Sequence, residues 1–286
     1  KRAAEIANHH GATNLQVKAM FLQATAARIC LEIDQVKVIL DEIEPLVADN
    51  IESLLGVVGQ QAFCSLALWE DLSMALGKEK EMNDLNRRAP NSMFSDQAAF
   101  YIGIFHRWRG DCKKCSEILE SVLPALKASA TPVLYVNSIF TYALALGEQG
   151  RYQKAIGILE EGRKSGEESG GLYATPVMSN SLGWAYHELC HFDRAIDYNN
   201  LALESIQESL GPDTSDLFEI ASQTRVNLGE NYLMTGDVKK ARENLELVYE
   251  SAKNPAYYLG RTRWYPRCLL GLGELWLQKG EMDKAE

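Results

Sequence analysis

Residues 176–202 read PVMSNSLGWAYHELCHFDRAIDYNNLA and contain a spacing pattern that recurs along the chain. A small residue, Gly183, is followed three positions later by an aromatic residue, Tyr186, and a second segment then begins with Phe192 and Ala195. Five copies of this pattern align on their small residue, at positions 103, 143, 183, 229 and 273. The copies are 40, 40, 46 and 44 residues apart, and such periods are typical of helical repeat arrays.

Each copy predicts a pair of antiparallel helices. Gly150, Gly236 and Gly280 follow the aromatic position and can adopt the left-handed conformation in which many helices end. An apolar residue and then a small residue begin the second helix, so we expect Ala195 and Ala241 to lie at close contacts between the paired helices. One pair cannot bury its apolar face alone, and successive pairs should therefore stack into a solenoid.

These residues resemble the tetratricopeptide repeat (TPR), whose signature is Leu-Gly, an aromatic residue, Gly, a second aromatic residue and two alanines. The match is best in 176–253 and good in 132–165 and 266–286. Three departures are the long period, Cys190 in place of the turn glycine, and the missing proline after the second helix. Repeats of this length resemble those of kinesin light chains and of the sensor arms of signal-transduction ATPases and cyclases. The resemblance implies an all-α, right-handed superhelical solenoid.

The first 95 residues predict two diverged repeats. Apolar residues from Ala24 to Ile43 have helical spacing, with a turn near Leu31, and 51–88 can form another pair. We therefore expect about seven pairs, or fourteen helices, in a single solenoid over 1–286, with 1–95 diverged and 96–286 clear. Because Lys1 is not a start methionine and the pattern runs on to Glu286, we expect a fragment of a longer protein.

Composition excludes several classes of partner. The 286 residues include 29 Lys and Arg against 39 Asp and Glu, a net charge of −10, which disfavours binding to nucleic acid or to anionic lipid. Residues 128–147 carry no charge, but polar residues such as Ser129 and Asn137 favour a buried helix over a membrane span. The six cysteines are scattered, unlike a disulfide framework. We expect a cytoplasmic protein with no nucleic-acid or membrane partner.

Two clusters could carry chemistry. Cys112 and Cys115 form a CxxC motif, which can be a redox or metal site, but the repeat pattern also explains both as small packing residues. His187, Cys190 and His191 have a spacing that can present metal ligands, but we expect the helix to end at Cys190. Phosphate-binding loops, dinucleotide fingerprints and hydrolase motifs are absent from the sequence. We therefore predict no catalytic residues, no metal and no cofactor.

The resemblance implies that the first helix of each pair lines a concave groove that binds a partner. The groove positions lie three before, one after and four after each small residue, which gives Phe100, Ile104, Arg107, Phe140, Leu144, Gly147, Asn180, Trp184, His187, Val226, Glu230, Leu233, Leu270, Glu274 and Leu277. None is lysine and one is asparagine, which disfavours the clamp for a C-terminal carboxylate found in chaperone-binding relatives.

The middle of the groove should be apolar, with Phe140, Leu144 and Trp184 forming an aromatic wall. This composition has two interpretations, an open groove for a hydrophobic peptide or helix, and a face covered by a neighbouring helix. The function favoured is a non-catalytic protein–protein interaction module of a larger signalling or regulatory protein. The alternative is a ligand-sensing arm that controls an attached ATPase, cyclase or transcription-factor domain.

Overall fold

The structure is a computed structural model, and it describes residues 2–29, 33–67, 72–90, 94–128, 132–168, 173–210, 219–253 and 264–281. These ranges contain fourteen α-helices and no β-strand. The predicted all-α fold is therefore confirmed. The chain divides into two compact units, Lys1–Ala130 (unit 1) and Thr131–Glu286 (unit 2). The prediction of one continuous solenoid over 1–286 stays a prediction.

Unit 1 holds one short helix and three helix pairs. Its helices are α1 (Arg2–His9), α2 (Thr13–Ile29), α3 (Ile33–Val47), α4 (Ile51–Ala67), α5 (Leu72–Arg88), α6 (Ser95–Trp108) and α7 (Cys112–Ala128). The pairs are α2 with α3, α4 with α5, and α6 with α7. Both predicted diverged pairs are present. The predicted turn at Leu31 lies outside the described residues, and α1 was not predicted.

Unit 2 contains the clearest repeats. Its helices are α8 (Pro132–Glu148), α9 (Tyr152–Glu168), α10 (Ala174–Glu188), α11 (Phe192–Leu210), α12 (Glu219–Thr235), α13 (Val238–Ser251) and α14 (Tyr265–Gln278). The first helices of the repeats are α8, α10, α12 and α14, and the second helices are α9, α11 and α13. Each first helix of this unit packs on its own second helix where that helix is described, and consecutive first helices also contact each other.

The predicted helix ends are confirmed. Gly150, Gly236 and Gly280 have positive φ angles of 76°, 80° and 74°. Cys190, at the same position of its repeat, has a φ of 58° and is the one non-glycine residue with a positive φ in the described part of the chain. The backbone N–H of Cys190 donates to the carbonyl of His187, so the turn closes as it does at the glycines. His191 consequently lies in the turn after α10 rather than on it.

Small residues at the start of each second helix are buried, as predicted. Cys115, Ala155, Ala195 and Ala241 occupy equivalent positions and are all fully buried. The packing interpretation therefore accounts for Cys115, while Cys112 is half-buried. Within the described ranges, no group of three His, Cys, Asp or Glu side chains could hold a metal ion. Nor is any helix of these ranges long and apolar enough to cross a bilayer.

Candidate functional site

The predicted groove positions of unit 1 lie mostly in its interior. Phe100 and Ile104 are only 4% and 8% exposed, because α6 packs against α4, α5 and α7. The Phe100 ring also lies 5.5 Å from that of Tyr101, which is itself buried. Their side chains are therefore not available to a partner, and neither residue belongs to the candidate site. Arg107, near the end of α6, is half-buried.

The middle of α10 is also buried and inaccessible to a partner. All eight residues from 176 to 183 are buried, including the predicted groove residue Asn180, which is 1% exposed. The Asn180 side chain donates to Oδ1 of Asn199 on α11, at 3.1 Å, and to Oγ1 of Thr224 on α12, at 3.0 Å. The sequence left open whether this uncharged helix lines an open groove or is covered by a neighbouring helix. The structure shows that neighbouring helices cover the middle of α10. Asn180 therefore does not belong to the candidate site either.

The sequence contains a signal for this buried contact. Asn199 stands sixteen residues after the small residue Gly183, where the other repeats have Leu119, Leu159 and Leu245, all fully buried. A polar side chain in that position must find a hydrogen-bond partner inside the protein. Asn199 receives one from Asn180 and donates to the carbonyl of Ala195 at 2.8 Å.

The Trp184 side chain packs against the preceding repeat. Its ring lies over Gly147 at the end of α8, so closely that a Cβ added at Gly147 would collide with the ring. The ring of Tyr152, the first residue of α9, is 6.1 Å from that of Trp184. Trp184 is half-buried, so part of the indole remains accessible. The two predicted neighbours in the aromatic wall, Phe140 and Leu144, are half-buried on α8.

The surroundings of Tyr152 are acidic. Its hydroxyl donates to a carboxylate oxygen of Glu188 at 3.4 Å. Partial burial raises the pKa of the Tyr152 hydroxyl, and the negative charges of Glu188 and Glu148 raise it further. The two carboxylates are thus both close enough to influence the same phenol.

Polar contacts also join α10, α12 and α14. The predicted groove residue His187 forms a hydrogen bond of 3.0 Å between its own ring nitrogen Nδ1 and the side-chain oxygen Oδ1 of Asn231. Glu230 accepts from Nε of Arg267 at 3.0 Å, and the same guanidinium donates to Asn227 at 3.0 Å. His187 and Glu230 are half-buried. Both therefore stabilise the stacking of first helices and still present part of their surface to solvent.

The remaining predicted positions differ widely in exposure. Val226 is fully buried, whereas Leu270 and Leu277 are 67% and 52% exposed. Glu274 is exposed and Leu233 is half-buried. On α10 and α12, accessibility therefore increases from Asn180 and Val226 toward the C-terminal end of the helix, whereas α14 is exposed at both Leu270 and Leu277.

We call this accessible surface the rim. Its residues are Leu144 and Glu148 on α8, Trp184, His187 and Glu188 on α10, Glu230, Leu233 and Met234 on α12, and Glu274 and Leu277 on α14. Neighbouring helices touch beneath it, because Trp184 covers Gly147, His187 bonds to Asn231, and a Cβ on Gly271 would meet the side chain of Leu233 at 3.7 Å. The rim thus spans four first helices that contact one another, and it mixes apolar and acidic side chains.

Unit 1 contains a separate open cavity of about 290 Å³ among α1, α2 and α3. Met20 and Ile39 form part of its apolar lining, and its polar lining includes Gln16, Gln23 and Glu42. The repeat pattern gave no indication of this cavity, because its lining comes from residues of the diverged N-terminal segment.

The fold is that of the TPR proteins. One similar structure is a signal-transduction ATPase (STAND protein) with a tetratricopeptide repeat sensor from Pyrococcus horikoshii, 14% identical, with a TM-score of 0.64 over 96% of this chain. This chain spans 40% of that protein's length. The resemblance to TPR proteins predicted from the sequence is confirmed at the level of the fold.

Two further similar structures contain bound partners. NprR in complex with its cognate peptide NprX is 12% identical, with a TM-score of 0.65 over 94% of this chain and 74% of that one. A Rap protein complexed with Competence and Sporulation Factor is 14% identical, with a TM-score of 0.58 over 94% of both chains. No protein-family model and no curated protein matches the sequence. At these identities the likeness establishes the fold.

Proposed function

We propose that the chain is a non-catalytic interaction module that binds a peptide segment along the rim of unit 2. The observation that carries the proposal is Trp184, an aromatic side chain held against Gly147 and Tyr152 but left partly exposed among apolar and acidic rim residues. Partly exposed tryptophans on such surfaces commonly provide much of the binding energy. Leu144 and Leu233, on the neighbouring helices, would extend the contact to either side of the indole.

The similar structures support the part of this proposal that concerns a peptide partner. NprR is similar in fold and was solved with a peptide, and recognition of a peptide by a groove between helices is a recurring mode of binding. The sequence also lacks the motifs of nucleotide-binding and hydrolytic enzymes. A partner is thus expected to be a protein or peptide, and the module part of a larger regulatory protein.

The test is a selection of random linear 12-residue peptides, displayed on phage, against the full 286-residue chain. Enriched peptides are synthesised with fluorescein, and their Kd values are measured by fluorescence anisotropy. Trp184→Ala should weaken binding by about 30-fold, as expected for a side chain worth about 2 kcal/mol at an interface. Circular dichroism melts should show that the variant remains helical.

The matched control is Trp276→Ala. Trp276 is also half-buried, but it packs on the core cluster formed by α12, α13 and α14. This variant should lose stability and keep its affinity to within about twofold, since its side chain contributes packing instead of interface contacts. The proposal fails if no peptide is enriched, or if Trp184→Ala loses stability without any change in Kd.

A sensing role is the second candidate, and one structural feature favours it. The contacts behind the rim continue inward, from His187 to Asn231 on α12 and from Asn180 to Asn199 and Thr224. A peptide on the rim could therefore alter the stacking of α10, α11 and α12. Hydrogen exchange with and without peptide distinguishes the candidates. A sensor should show altered protection at Asn199 and Thr224, whereas a simple binding module should show changes only at the rim.

A further inference from the structure

The rim carries one sign of charge. Its ionisable residues are Glu148, Glu188, Glu230 and Glu274, together with His187, and it contains no lysine or arginine. Leu144, Trp184, Leu233, Met234 and Leu277 provide its apolar part. A surface of this composition is complementary to a partner that combines apolar side chains with positive charge.

Two of these glutamates lie where the helix itself disfavours them. Glu148 is the last residue of α8 and Glu188 is the last residue of α10. The C-terminal end of a helix carries partial negative charge, so a cation is stabilising there and a carboxylate is destabilising. The helix dipole therefore does not explain these residues. Departures from local rules are expected at functional sites.

The protein leaves part of this charge uncompensated. Arg267 neutralises Glu230. Glu188, by contrast, forms only the hydrogen bond from the Tyr152 hydroxyl within the described residues. Glu274 forms no hydrogen bond or ion pair in the same part of the chain. A cation brought by a partner would therefore meet carboxylates that do not have to break an ion pair.

Three basic residues of the second helices lie beside tyrosines of the first helices. Lys154 lies 5.4 Å from the ring centre of Tyr142, and Arg194 lies 5.4 Å from that of Tyr186. Lys240, at the equivalent position of the next repeat, lies 5.2 Å from the ring of Tyr232. The three cations thus cover tyrosines of the first helices.

We infer that the rim recognises a linear peptide segment in which a lysine or arginine adjoins apolar residues, with the cation bound by Glu188 and an apolar residue packed on Trp184. The inference rests on the proposed function and specifies the chemistry of its partner. Glu188 follows Trp184 by four residues on α10, so the proposed cation and apolar contacts lie on the same face of that helix. The acidity around Tyr152, which raises the pKa of its hydroxyl, agrees with this arrangement.

The probes are the fluorescein-labelled peptides from the selection and their counterparts with every Lys and Arg replaced by Gln. Enriched peptides should carry net positive charge, and the Gln counterparts should bind about tenfold more weakly. Glu188→Gln should weaken the cationic peptides about three- to tenfold, the effect of losing one charge-assisted contact at a partly exposed site. The same substitution should leave the affinity for the Gln counterparts unchanged.

The matched control is Glu204→Gln, which removes the same charge from an exposed position on the second helix α11. It should change no Kd by more than about 1.5-fold, because this exposed charge is not part of the rim and is screened by salt. Neutral or acidic peptides among the enriched set, or equal effects of Glu188→Gln and Glu204→Gln, would overturn the inference while leaving peptide binding intact. A peptide-independent dimer that Trp184→Ala dissociates would assign the rim to a second copy of the chain and also overturn it. If no peptide is enriched, the proposed function fails first.

Discussion

Replacing Cys190 with glycine should stabilise the protein. Cys190 ends the turn after α10 with a φ of 58°, in the left-handed region. The four equivalent positions, Gly110, Gly150, Gly236 and Gly280, are glycines with φ angles of 82°, 76°, 80° and 74°. The side chain at Cys190 is exposed, so its removal sacrifices no buried contact. The backbone strain is then the dominant difference between cysteine and glycine at this position.

The size of the gain follows from two opposing terms. A left-handed conformation costs a residue with a Cβ about 1–2 kcal/mol, whereas the extra freedom of glycine in the unfolded chain returns about 0.4–1 kcal/mol of that. The net gain in the free energy of unfolding should be about 0.5–1 kcal/mol, equivalent to about 1–3 °C in Tm for a protein of this size. Urea denaturation followed by circular dichroism at 222 nm measures it.

Cys190→Ala is the control, because alanine removes the thiol and keeps the Cβ. Its stability should equal that of the parent to within about 0.5 kcal/mol, the usual range for an exposed substitution. A glycine variant no more stable than the alanine variant would refute the argument from backbone conformation. It would also weaken the alignment of the five repeats on their helix ends.

Three further predictions concern the interior. Ala195→Leu should overpack the fully buried contact between α10 and α11 and lower the free energy of unfolding by about 1–3 kcal/mol; unchanged urea midpoints would contradict the repeat alignment. Asn180→Ala should cost about 1–3 kcal/mol, because two buried acceptors lose their donor, and a neutral result would mean that these groups are solvated. Burial raises the pKa of the Cys268 thiol to about 12, so iodoacetamide at pH 7.5 should modify exposed Cys190 and spare Cys268 and Cys115; peptide mass mapping that finds either of them labelled in the folded protein would disprove this.

Local spacing was sufficient to predict the repeats. The positions of Gly150, Gly236 and Ala241 follow from how a helix ends and how closely two helices approach, and both are short-range properties. The spacing pattern did not specify where α10 begins. The helix begins at Ala174, with Tyr173 as its N-cap and without a side-chain hydrogen bond from that residue to the helix end. The Tyr173 hydroxyl donates instead to Asn137 on α8, a contact that no local pattern indicates.

The candidate site could be predicted only in part. Positions relative to the small residue identified Trp184 and Glu274, but they also selected Phe100 and Asn180, which are buried. Whether such a position is open depends on how closely consecutive first helices approach, which varies between repeats. Besides the uncharged composition of α10, the sequence contained a second sign of its contacts with neighbouring helices, the asparagine at 199 where other repeats have leucine.

The central claim is that a peptide binds along the rim, and photo-crosslinking tests it most directly. A selected peptide carrying a single benzophenone residue is irradiated with the full chain, and the crosslinked residues are mapped by mass spectrometry. The account predicts crosslinks at 144–148, 184–188 and 230–234, the C-terminal ends of α8, α10 and α12. Crosslinks confined to the second helices α9, α11 and α13, or to the cavity among α1, α2 and α3, would contradict it.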